Sequence, residues 1–307
     1  MISESTRGLC LPEGKLLVVT KESDIVSSQS TEGLAPCNHE EADTRLFLHC
    51  KNAYESGSRT ILLTANDSDI VVLGVTFCST YNDCYIWVVF ATGKTKRCIP
   101  VHDIASTLGP SKCAGLPFLH AITGCDTVSC FHGIGKKTAW EAWNSFPQVA
   151  ETFSRLSKPI GEISETDLSL LEIFVIKLYQ RTLTINKVNN ARAYLFSTGD
   201  RNIENIPPTQ AALFQHIKRS VMQSGFTWGQ YLDVVQNLPD IGMWGWFLED
   251  GVYYPFWSAL PEASAVCREL IKCGCLKGCV PSRCKCKKTA GGLACTLLCK
   301  CAGQCAS

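Results

Sequence analysis

Short apolar runs and longer stretches with helical spacing alternate over the first half of the chain. Leu16 to Val19, Thr60 to Thr64, Ile70 to Val75, Tyr85 to Ala91 and Arg97 to Val101 are brief, rich in Val, Ile or Leu, and predict strands. Between the first two, His39 to Glu55 sets Ala42, Leu46, Phe47, Cys50 and Ala53 at helical spacing. Strands apolar throughout and separated by helices predict an α/β domain, with a parallel sheet covered on both faces and flanked by helices. Residues 1–143 are assigned to it. From Asn144 to Ser264 the pattern is mostly helical, with helices expected over Glu165 to Leu183, Val188 to Phe196 and Pro208 to Gln223. Asp250-Gly251 between aromatic runs predicts a hairpin. Trp228, Trp244, Trp246 and Trp257 in this region suit core packing better than a base-stacking platform.

Composition divides the chain once more. Of its 307 residues 19 are Cys, and nine of these fall between Cys273 and Cys305. From Ile271 onward there are seven Lys or Arg and no acid, leaving 22 basic against 28 acidic residues before it. The near-neutral total therefore hides an acidic body and a basic, cysteine-rich tail over 265–307. No stretch of about 18 residues is free of charge, and Met1 to Leu11 has no apolar run. A transmembrane helix and a signal peptide are both unexpected, as is a membrane partner. A dense local cysteine cluster without a secretory signal points to metal rather than disulfides.

The acids of the first domain recur at element ends. Glu40-Glu41-Ala42-Asp43 opens the first strong helix, and Asp67-Ser68-Asp69 follows the strand ending at Thr64. Gly124-Cys125-Asp126 follows an apolar helix over Leu116 to Ile122. Ligands of open α/β sheets bind beyond the carboxyl ends of strands, so these acids are expected to face one crevice. Converging carboxylates raise each other's pKa unless cations neutralise them, and hard oxygen donors suit Mg²⁺ or Mn²⁺. Spacing alone fits first-turn charges and a helix cap better than a metal site. Downstream, Gly133-Ile134-Gly135-Lys136-Lys137 leads into a helix, where free backbone N–H groups and two lysines suit a phosphate, although taken alone the motif fits an ordinary turn before a helix better. Cys125 and Cys130, near His120 and His132, read as small buried residues rather than a Cys–His nucleophile. His39 and His49 read as surface or satisfied core residues.

Taken in order, Glu41-Ala-Asp43, Thr64-Ala-Asn-Asp67-Ser-Asp69 with Leu73-Gly74, Gly124-Cys125-Asp126 and Gly133-Ile-Gly135 resemble the internal domain of the flap-endonuclease family of structure-specific 5′ nucleases. The resemblance covers roughly Leu34 to Trp143. It implies a PIN-like fold, with Glu41, Asp43, Asp67, Asp69 and Asp126 as ligands of Mg²⁺ or Mn²⁺. It also implies that the turn at 133–139 is a helix-hairpin-helix holding duplex backbone through Gly133, Gly135, Lys136 and Lys137. Family members bring two further aspartates from an N-terminal region, and no segment before Leu16 matches it. On this reading the domain is N-terminally incomplete. Asp43 stands where Glu is usual, and Lys136 where Pro is common.

The tail places Cys273, Cys275, Cys279, Cys284, Cys286, Cys295, Cys299, Cys301 and Cys305 at short, regular intervals. Nine thiolates satisfy about three tetrahedral Zn²⁺ ions when three sulfurs bridge. The pattern resembles a tesmin-type CXC domain, which implies zinc and DNA contact. Arg283 takes the place of a usual Tyr, so Arg283 and Lys285 are expected to meet DNA. Together these features lead to the expectation of a nuclear, DNA-directed protein related to structure-specific nucleases, acting on duplex or branched DNA. The alternative is a non-catalytic DNA-binding or chromatin-associated protein on a degenerate nuclease fold.

Overall fold

The computed structural model describes residues 12–13, 15–27, 33–92, 95–198, 203–258 and Cys284. It is a mixed α/β protein. A hairpin of β1 (Val18–Lys21) and β2 (Asp24–Ser27) precedes α1 (Ala42–Glu55), β3 (Thr60–Thr64), α2 (Ser68–Thr80), β4 (Tyr85–Thr92), β5 (Thr95–Pro100) and α3 (Val101–Ile122). Then come α4 (Lys136–Ser145), α5 (Ala150–Leu156), α6 (Glu165–Tyr179), α7 (Val188–Ser197) and α8 (Gln210–Val221). A π-helical segment (Met222–Thr227) extends α8, and β6 (Trp246–Glu249) pairs with β7 (Val252–Pro255). The expected Asp-Gly turn joins these two strands, with positive φ at Asp250 and Gly251 as such a turn requires. Among the described residues no helix is long and apolar enough to cross a membrane.

The main sheet differs from the expected one. β4 pairs in parallel with β3 but antiparallel with β5, because Thr92 opposes Thr95 across a connection too short for a parallel crossover. One face of β3 and β4 is buried (Leu63, Ile86, Val88), while Leu62 is 66% exposed on the other. The sheet is therefore small, mixed and covered on one side. Ile70 to Val75, expected as a strand, lies inside α2. That helix buries Ile70, Val72, Leu73, Val75 and Phe77 and so shows no polar face to betray a 3.6-residue period. Leu16 to Val19 contributes to β1 rather than to the main sheet, and Val101 opens α3 instead of ending β5. α3 itself is broken at Gly109, which has positive φ and precedes Pro110.

Among the described residues lie a small cluster of Leu34, Cys37 and Leu48 and two large cores. One joins the sheet to α1, α2 and α3 through Phe47, Leu73, Phe77, Ile86 and Cys113, and it also takes in Trp228 and Tyr231. The other packs Phe118 and Ile122 of α3 and Trp143 of α4 against Phe153, Phe174 and Val221. The mostly helical region thus shares its interior with the α/β part. Trp228 and Trp244 are buried as expected, whereas Trp257 is 60% exposed.

Candidate metal centre

Two helix starts and one loop build an acidic cleft. Glu41 is the N-cap residue of α1 and Asp43 lies in its first turn. Asp67 caps α2, its carboxylate accepting from the Asp69 backbone N–H at 2.9 Å, and Asp69 stands in the first turn. Unsatisfied N–H groups at helix starts favour such negative charge. Asp126 follows α3 in the loop begun by Gly124, whose positive φ and close approach to Cys130 leave no room for a side chain. Asp43, Asp67 and Asp69 each offer an oxygen within 4.8 Å of the others. With Glu41 and Asp126 they line one cleft of about 350 Å³, so the five acids expected to share a crevice do so. Capping and cleft-lining coexist at Asp67.

Crowding shows in the proton affinities. Burial, followed by the charges of Asp67, Asp69, Glu41 and Asp126, pushes the Asp43 carboxyl up to about 6. Burial also raises Glu41, against two hydrogen bonds that hold its charged form. Gln223 Nε2 donates to Glu41 Oε1 at 2.7 Å, and Trp228 Nε1 donates to Oε2 at 3.0 Å. The Thr127 hydroxyl in turn donates to Gln223 Oε1 at 2.6 Å, so this buried amide has both ends engaged. His120 Nε2 lies 2.8 Å from Asp69 Oδ1, with both side chains nearly buried. An ionised carboxylate only accepts, so that nitrogen carries the hydrogen. Sequence reading missed Gln223, Trp228 and Thr127 and passed over His120. A buried amide or indole has no local signature, and two of these residues lie some 180 positions from the acid they serve.

The Gly133–Lys137 turn has a more mixed outcome. Gly133 adopts positive φ, and Gly133 and Gly135 are exposed with open space where a Cβ would stand. Lys137 at the start of α4 is exposed. Lys136 is exposed as well, but its ammonium donates to the His120 carbonyl at 2.5 Å, to the Thr123 hydroxyl at 3.0 Å and to the Gly124 carbonyl. All three of its N–H donors are used at the carboxyl end of α3, where a cation is favoured. Burial nevertheless lowers its pKa to about 8. Lys136 therefore ties the loop of Asp126 to α3.

His39 is buried, its Nε2 2.6 Å from the Asp233 carbonyl, and His49 Nε2 lies 3.0 Å from the Thr20 hydroxyl. Arg283, Lys285 and eight of the nine tail cysteines lie outside the described residues; Cys284 is buried. Comparison with protein families, with characterised proteins and with solved structures returns no match.

Proposed function

We propose that the chain is a DNA-directed protein related to structure-specific 5′ nucleases. Its cleft would hold Mg²⁺ or Mn²⁺ and support phosphodiester hydrolysis on branched or flap DNA, and its tail would bind about three Zn²⁺ and contact DNA in the nucleus. The observation that carries this reading is the convergence of Asp43, Asp67 and Asp69 with Glu41 and Asp126. An all-oxygen donor set in which burial, and then crowding, raise the Asp43 pKa fits a hard divalent cation, which would remove the mutual repulsion. Asp43, Asp67 and Asp69 would hold the ion, with Glu41 and Asp126 at its margins. When bound, such an ion would polarise a phosphodiester and activate a water for attack on it. Glu41 keeps its orientation through Gln223 and Trp228, Asp69 through His120, and the Asp126 loop through Lys136.

Flap-DNA cleavage by the purified full chain with Mn²⁺, abolished in Asp67→Asn, is the expected result. Equal activity of the two proteins would end the enzymatic claim. The second reading, a non-catalytic DNA-binding protein, draws on Asp24. This earliest aspartate lies in β2 and is not among the residues lining the cleft. It predicts salt-dependent DNA binding without cleavage, lost when zinc is chelated.

A further inference from the structure

Beside the acidic cleft lies a second pocket of different character. Glu41, Thr127 and Gln223 line both, so one hydrogen-bonded wall separates them. The far side of the second pocket is the hairpin of β6 and β7. Its register pairs Leu248 with Tyr253 and Trp246 with Pro255, which puts Trp246 and Tyr253 on one face of the ribbon, the two aromatic residues that line this pocket. Met222, Leu238 and Ile241 add apolar surface. Arg219 also lines the pocket; it is 3% exposed and forms no ion pair among the described residues. Its Nη1 anchors the hairpin through the carbonyls of Gly245 (3.1 Å) and Phe256 (2.8 Å).

We infer that this pocket receives one unpaired nucleobase of the strand whose phosphate lies in the acidic cleft. The inference rests on the phosphodiester reading of that cleft and deepens it. Size limits the occupant: about 220 Å³ is below the roughly 300–1,000 Å³ of pockets for drug-sized ligands and admits a single flat ring system, not a duplex or a helix. Chemistry narrows it further, since aromatic faces with an apolar floor accept the face of a base. The buried guanidinium suits acceptors on the edge of that base. Charge sets the orientation. Glu40 and Glu41 in the lining repel a phosphate, so the ring enters here and the phosphate remains on the metal side.

The test uses the full chain with Ca²⁺ in place of Mg²⁺ and compares a thymidine hexanucleotide with an abasic hexamer of the same backbone by fluorescence anisotropy. Wild type is expected to prefer the base-bearing strand about tenfold. Tyr253→Leu, at a half-exposed position that should not perturb folding, removes most of that preference, and Tyr253→Phe keeps it. Equal affinity of wild type for the two hexamers, or an unchanged preference in Tyr253→Leu, overturns the inference. Calorimetric titration with Mn²⁺ alone reports separately on the cleft. Absence of binding there overturns the nuclease reading, whereas lack of base preference with Mn²⁺ still bound overturns only the pocket.

Discussion

Asp43 sets the working range of the cleft. In the folded chain its proton is held up to about pH 6, against an ordinary value of 3.8. Between those two values the folded chain carries more proton than the unfolded one, so stability without metal falls as pH rises through that window. A divalent ion held in the cleft would reverse the trend. Thermal melts should show Mn²⁺ raising the midpoint at pH 7.5, by an amount worth about 2.7 kcal/mol at a hundredfold excess over Kd, and losing this effect below about pH 6. Asp43→Asn should weaken the dependence of the metal-free midpoint on pH in that range, leaving the part that comes from Glu41. His120 and Gln223 act one step further out. His120→Ala is expected to weaken Mn²⁺ binding about tenfold by calorimetry, and His120→Gln, which restores an N–H donor, to recover part of it.

At the scale of elements, the π-helical segment is what brings Gln223 to Glu41. It lies tight against the chain after α5: a Cβ on Gly225 would stand 2.7 Å from the Lys158 carbonyl oxygen and 3.0 Å from that of Leu156. Gly225→Ala is therefore expected to cost about 1–3 kcal/mol, read as a lower urea midpoint at unchanged slope, and to weaken metal binding by displacing Gln223. Elements with one polar face were legible in the sequence. β3 matches its expected limits, and α7 and the β6–β7 hairpin lie close to theirs, because periodicity or turn chemistry marks them. α2 was not legible, since a short apolar run reads alike for a buried strand and a buried helix. The one discriminating signal was Asp67, which caps a helix as well as lining a cleft. The antiparallel β5 was legible only in the shortness of its connection to β4.

For the whole molecule, the shared core carries a direct expectation. Phe118, Ile122 and Trp143 pack against Phe153, Phe174 and Val221, so a chain ending at Trp143 loses one side of its interior. Such a fragment should show no cooperative unfolding by circular dichroism and no Mn²⁺ binding, despite keeping all five acids. The tail gives a separate expectation from its spacing: elemental analysis of the purified chain should find about three zinc ions, released by chelator. The acids of the cleft were readable because each opens or follows a local element. The groups that orient Glu41 were not, because Gln223 and Trp228 stand more than 180 positions from it. Glu41 waits for Gln223 across 182 positions and for Trp228 across 187. At the usual pace of synthesis that interval lasts on the order of ten to forty seconds. A nascent chain on the ribosome thus displays its acids long before the groups that hold Glu41 exist, and the cleft reaches its final arrangement only after translation has passed well beyond the segment that carries those acids.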